Sequence, residues 1–329
     1  MRCRTVALSL SVLSLAALSP GCGSGEKPVD EGPTVTLRVT EDFGRELLTA
    51  ADDAPLPSPP TILELLSDHT DVHAVSNGQE IEAIDEVYDQ RLPYPRVWAQ
   101  NVNGIETDEY PVDYRLFDGD VVQVDLRYWH ITLDVRATVG AFPETFTRGV
   151  FGRRFPTEVV CRPPRSAACT DVKQTMRDAG VDPTGGAPPG DPPRAGQPQR
   201  ARILVGPWGR IGRAEWPRLI DRGPRYSGVF ARFAGADRSR LELLDAEART
   251  VVADAGRHAG LVAALRPTEE DLLWLVTGTT ARGAQRAARA LTAPTTRDAF
   301  SVAITAQGPI SLPMRAETPL TGTPVERGG

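Results

Sequence analysis

Two stretches decide how this chain reads: Trp98-Ala99-Gln100-Asn101-Val102-Asn103-Gly104-Ile105, and further on Tyr114-Arg115-Leu116-Phe117-Asp118-Gly119-Asp120-Val121-Val122. Trp98, Gln100 and Val102 lead with period two into an Asn-Gly pair, and Val122, Val124, Leu126 and Tyr128 follow an Asp-Gly pair with the same period. Such alternation marks a strand with one buried face. Asn-Gly and Asp-Gly tolerate positive φ at both central positions, so they favour tight turns between antiparallel strands. Asn77-Gly78 is a third pair of this kind.

Upstream, Val35, Leu37 and Val39 alternate with Thr34, Thr36, Arg38 and Thr40, which predicts another strand. A proline-rich approach, residues 55–60, leads to Thr61-Ile62-Leu63-Glu64. Thr61 with Glu64 forms a capping box, and Ile62, Leu65 and Leu66 supply the stripe of a short helix. Strand, hairpin, helix and further strands is the order of a β-grasp (ubiquitin-like) sheet, expected over residues 34–129. Residues 130–316 read as a mixed α/β domain, so the fold class is α+β. Strands are expected at 131–139, 157–161, 202–206, 228–233, 241–245, 260–265 and 272–276. Helices are expected at 171–179 and 281–291, the second with Ala284, Ala287, Ala288 and Leu291 along one face. Residues 182–200 hold six prolines and four glycines, the composition of an exposed loop. Residues 317–329 are expected to be a disordered tail.

The first 21 residues have the layout of a signal peptide. Arg2 and Arg4 precede an apolar run over residues 6–18, and Ser19-Pro20-Gly21 leads to Cys22. Cys22 stands where a bacterial lipoprotein carries its lipid, with residues 22–33 as a tether. The position three before it holds Ser19 instead of the usual leucine, and plain secretion with an incidental cysteine is the alternative. Cys3 goes with the signal, which leaves Cys161 and Cys169. Outside the cytoplasm such a pair closing a short loop reads as a disulfide. A two-cysteine metal site would need further ligands, and no histidine lies within twenty residues.

The 329 residues are 40% hydrophobic and 24% charged, which suits a folded body. A formal net charge of −6 argues against a general nucleic-acid binder. Residues 23–137 carry 24 acidic and 8 basic side chains, and residues 138–329 carry 19 and 27. Opposite signs favour packing between the halves or steer a partner; the alternative is two solvated surfaces that merely differ. No apolar run of 18 residues follows residue 25, so no spanning helix is expected there.

His69 and His73, interleaved with Asp68 and Asp71, bring a metal site to mind, but the short helix ends between them and an exposed helix end is the plainer reading. Gly206-Pro207-Trp208-Gly209-Arg210-Ile211-Gly212 lacks the Lys-Ser/Thr end of a phosphate loop. Thr277-Gly278-Thr279-Thr280 sits between a strand and a helix, where free amides can hold an anion, although an N-cap turn needs the same residues. Asp118 and Asp120 flank a turn glycine and are expected to stay solvated; Asp125 lies nearby. There is no Gly-x-Ser-x-Gly elbow and no His-Glu-x-x-His helix. No catalytic residue, metal or cofactor is expected. Trp98, Tyr110, Tyr114, Tyr128 and Trp129 are candidates for a stacking surface, a role that core packing explains equally well.

The two opening stretches resemble the aromatic–x–x–x–Val–Asn–Gly and Leu–x–Asp–Gly–Asp motifs of transcobalamin-C-terminal-like β-grasp domains, which occur in bacterial surface proteins. The resemblance covers about residues 34–129. Gly140-Ala141-Phe142-Pro143-Glu144-Thr145-Phe146 and Val276-Thr277-Gly278-Thr279-Thr280 are similar to a second region of actinobacterial lipoproteins with this architecture. The resemblance implies a lipoprotein on the extracellular face of the cytoplasmic membrane, anchored through Cys22. A corrinoid ligand enters by kinship alone, because transcobalamin-type carriers hold it partly with a helical barrel that this chain lacks. An energy-coupling-factor transporter is the partner that the cobalamin association suggests. The expectation is a non-enzymatic binding protein for a small ligand linked to uptake, with contacts at Trp98, Tyr114, Tyr128 and Trp129. The alternative is a structural module that contacts envelope polymers or proteins.

Overall fold

Alternating apolar residues and three turn glycines build the first sheet. Strand β1 (Thr34–Glu41) pairs antiparallel with β2 (Glu46–Pro55) through a turn in which Asp42, Phe43 and Gly44 have positive φ. Helix α1 (Ile62–His69) starts as its capping box predicts: the Glu64 N–H donates to the Thr61 hydroxyl at 3.2 Å, and Ile62, Leu65 and Leu66 are buried. Strands β3 (Val72–Val75), β4 (Glu80–Ile84) and β5 (Val87–Tyr88) form a small sheet, with Asn77-Gly78 turning between the first two. Strands β6 (Arg96–Val102) and β7 (Ile105–Glu106) turn at Asn103-Gly104, whose φ values of 52° and 75° are those a type I′ turn requires. Strand β8 (Val121–Tyr128) completes the order β2-β1-β8-β6-β7, with β1 and β8 parallel at the centre. The Asp118-Gly119 turn therefore joins no hairpin; its glycine N–H donates to the Thr34 carbonyl and ties it to the start of β1. Val35, Leu37, Val39, Val122 and Val124 close on α1 in one core.

The rest of the chain adds α2 (Glu144–Thr147), β9 (Thr157–Cys161), α3 (Ala167–Asp178), β10 (Arg200–Pro207), α4 (Trp208–Ile211) and α5 (Pro224–Ser227). Strands β11 (Ala231–Ala234), β12 (Arg240–Leu244), β13 (Thr250–Asp254), β14 (Gly260–Leu265) and β15 (Asp271–Gly278) follow. Helices α6 (Ala281–Arg289) and α7 (Ala293–Thr296) and strands β16 (Ser301–Ile304), β17 (Pro309–Leu312) and β18 (Thr323–Pro324) end the series. A six-stranded sheet in the order β17-β16-β14-β15-β10-β9 carries α3 and α6 on one face. Its other face packs against a second sheet, β11-β12-β13-β18. Every residue of β14 is buried because both faces of its sheet are covered. Cys161 and Cys169 form a disulfide from the end of β9 to the first turn of α3, with Cα atoms 5.7 Å apart.

The computed structural model describes residues 32–90, 95–129, 135–186, 199–315 and 323–324, and Gly32–Gly329 form one compact unit. Cys22, residues 131–134 and most of 182–200 lie outside the described residues. Within the expected strand 131–139, residues 135–139 contribute only a bridge from Ala137 to Ile105. Arg136 and Thr138 spend their backbone groups on Glu106 and Gly104, so this segment pins the β6–β7 turn and does not extend a sheet. In the expected tail, Thr323–Pro324 pairs with β13.

The polar face of the first sheet is buried. Arg38, Thr40, Gln123, Asp125 and Arg127 are each at most 5% exposed. Arg38 pairs with Asp298 at 3.2 Å, and Gln123 Nε2 donates to the Asp298 carbonyl at 3.0 Å. Phe43 meets Phe230 and Phe300 at centroid distances of 4.6 Å and 5.5 Å. The Arg127 guanidinium lies 5.4 Å over the Phe300 ring. The whole is a mixed α+β protein, mostly sheet.

Candidate functional site

Counting outward from the Asn103-Gly104 turn places Glu106 across from Asn101, on the same face as Val97, Ala99 and Arg127. Glu106 and Arg127 make an ion pair at 2.5 Å, with side chains 24% and 3% exposed. Trp98 and Gln100 point to the opposite face of β6. Because β7 is only two residues long, the rest of β6 is a sheet edge, and a cleft of about 340 Å³ wraps around it. The start of β4, the segment 106–111 and Trp129 form its other walls. Trp129 and Tyr110 are 54% and 48% exposed, while Trp98 lies half-buried against the α1 core.

Three side-chain atoms along this wall are buried without a hydrogen-bond partner among the described residues: Trp98 Nε1, Gln100 Oε1 and Arg127 Nη1. Gln100 uses its Nε2 on the Glu109 carbonyl at 2.5 Å, and Arg127 uses its Nη2 on Glu106. Buried polar atoms normally find partners, so Trp98 Nε1 and Gln100 Oε1 on one face of this edge and Arg127 Nη1 on the other mark the edge out. Its lining carries the carboxyls of Glu80, Asp89, Glu106, Asp108 and Glu109 against the guanidinium of Arg127. Burial raises the Glu106 carboxyl above the ordinary carboxylate range, and Asp108 adds to this, although Arg127, Arg136 and Arg266 oppose it. The arrangement offers ring faces for stacking, carboxylates as acceptors, and a donor on each side of the strand.

Trp98, Tyr110 and Trp129 all line this cleft, Trp98 from the α1 side of β6. Tyr128 lines a different cleft of about 400 Å³ with Asp42, Arg45 and Asp245, and the Arg96 guanidinium covers its ring at 5.4 Å. Tyr114 is no surface residue: it is fully buried, stacked on Phe151 at 4.6 Å, and burial raises its phenol. The bridge from Arg115 to Thr61 and the bond from Leu116 N–H to the Pro60 carbonyl draw this segment under α1.

Asp120 is 1% exposed, contrary to the expectation that it is solvated. It accepts from Asn103 Nδ2 at 2.7 Å and from the Phe117 N–H at 2.9 Å, and burial lifts its carboxyl to about 6. Asp125 accepts from the Thr40 hydroxyl at 2.7 Å and from the Gly44 N–H at 2.9 Å. Both carboxyls are thus committed to holding turns. His73 pairs with Glu82 at 2.8 Å, and among the described residues no group of three or more His, Cys, Asp or Glu is placed to hold a metal ion. Thr280 accepts from the Gly283 N–H at 3.2 Å as the N-cap of α6, and His258 Nδ1 lies 2.8 Å from its hydroxyl.

Glu106, Gln100 and Arg127 were not among the residues singled out from the sequence. The hairpin register around Asn103-Gly104 carried the signal for Glu106. No known protein-family model matches the chain, and no curated protein matches it significantly.

Proposed function

We propose that this chain is a non-enzymatic binding protein held on the extracellular face of the cytoplasmic membrane through Cys22, and that the Trp98–Trp129 cleft takes a small ligand linked to uptake. The observation that carries the reading is the concentration of unpartnered polar atoms beside exposed aromatic rings in one concave site. The lining combines carboxylates, amides and rings with the Arg127 guanidinium and the Thr107 hydroxyl, and among the described residues no serine, cysteine or histidine lines it. The order β2-β1-β8-β6-β7, with a helix after the first hairpin and a parallel central pair, supports reading the first sheet as a β-grasp. The disulfide fits an oxidising location. A cleft of about 340 Å³ suits a ligand smaller than a corrinoid.

Native mass spectrometry of the purified protein, incubated with an extract of small molecules, tests the proposal. A retained molecule of defined mass is expected, and it should be lost in Trp129→Ala. A bare protein mass under all conditions would overturn the reading.

A further inference from the structure

Resting on that reading, we infer that the ligand class of the Trp98–Trp129 cleft is a neutral saccharide. The wall presents two kinds of polar demand at once. Trp98 Nε1 and Arg127 Nη1 are donors without acceptors, and Gln100 Oε1 is an acceptor without a donor. The lining also holds five carboxylates against one guanidinium, and a carboxylate accepts several hydrogen bonds.

Charge then sorts the ligands that such a wall admits. A quaternary ammonium group satisfies the carboxylates and the rings but offers no acceptor of its own to either orphaned N–H. An anion satisfies the two N–H groups but is repelled by the surrounding carboxylates. A hydroxyl both donates and accepts, so a polyhydroxyl ring meets both demands without net charge. The apolar C–H face of a pyranose or furanose also matches the exposed faces of Trp129 and Tyr110. Trp129 is exposed in the lining, so tryptophan fluorescence reports a sugar that stacks on it.

The test titrates the full protein with neutral trisaccharides of glucose, N-acetylglucosamine, mannose and arabinose, and in parallel with choline and with inorganic phosphate. At least one trisaccharide is expected to change the tryptophan emission saturably, with a Kd that does not move with ionic strength. Affinity should fall about tenfold in Trp129→Ala and in Gln100→Leu, each checked for an unchanged melting temperature. Saturable binding of choline or phosphate without any sugar would overturn the saccharide class and leave the binding reading standing. Silence from every probe, together with a bare mass after exposure to extract, would overturn both.

Discussion

Arg38 on β1 and Asp298 ahead of β16 form an ion pair at 3.2 Å across the seam between the first sheet and the rest of the protein. Arg38 belongs to the acidic half of the chain and Asp298 to the basic half, so the contact runs against the net charge of each. The Arg38 side chain is 6% exposed and that of Asp298 19%, and burial raises the Asp298 carboxyl although Arg38 opposes it. Arg38 also pairs with the exposed Asp52 and so keeps a partner without Asp298, whereas removing Arg38 takes this ion pair from the largely buried Asp298 carboxyl.

Arg38→Met is therefore expected to lower stability by about 3 kcal/mol, measured by urea denaturation at pH 7. Asp298→Asn in the same chain should recover a good part of the loss. Losses that simply add in the double variant would show that the pair is not coupled.

Gly44 and Gly180 have almost the same φ, +76° and +73°, in different surroundings. A Cβ at Gly44 would lie 1.9 Å from the Asp298 carbonyl oxygen, whereas one at Gly180 meets nothing within 4 Å. Gly180→Ala should cost only the backbone conformation, about 1–2 kcal/mol. Gly44→Ala should cost about 3 kcal/mol or more, because the seam must open. Equal losses would mean that the Gly44 turn does not press on Asp298.

Asp120 titrates near 3.8 in an unfolded chain and near 6 in the folded protein. Between those values the folded state keeps a proton that the unfolded state has lost. Its contribution is thus fully present below about pH 4 and declines as pH rises through about 6, by about 3 kcal/mol in all. Carboxyl carbon shifts followed by NMR should place the Asp120 midpoint near pH 6. A midpoint in the ordinary range would remove the pH dependence.

The Cys161–Cys169 bond closes a loop with a sequence separation of 8. Replacing both cysteines by serine should lower stability by about 2.5 kcal/mol through the freedom returned to the unfolded chain. Reduction of the native protein with dithiothreitol should give the same loss. A midpoint that reductant leaves unchanged would argue that the bond is absent in solution.

Strands β1, β6 and β8 and the Asn103-Gly104 turn were legible because their signals are local, whereas β2 lacks the alternation and Asp118-Gly119 joins no hairpin. Asn103-Gly104 fixes its own φ values, and the capping box at Thr61 needs only residues three apart. What covers Arg38, Gln123 and Arg127 was not legible, since period-two alternation separates two faces without naming what lies on either. The same gap explains Tyr114, which an aromatic count offers as a surface while the bridge from its neighbour Arg115 to Thr61 draws it inside. It also explains 131–139, whose described part has an apolar pattern that serves packing at Val135, Ala137 and Val139 without making a strand. Of the cleft beside β6, Trp98 and Trp129 were legible as aromatic candidates. Their convergence with Glu106 and Arg127 depends on the shortness of β7, a property of the folded edge.

The seam also sets a timetable for biosynthesis. All strands of the first sheet exist once residue 128 has been made, whereas Asp298 and Phe300, which cover its polar face, follow much later. In that interval the nascent sheet shows water Arg38, Gln123 and Arg127, side chains that water solvates well. A hydrophobic face waiting as long would recruit neighbouring nascent chains. Charge at this seam is therefore expected to cost some stability in the finished protein and to keep that face wetted until its cover arrives.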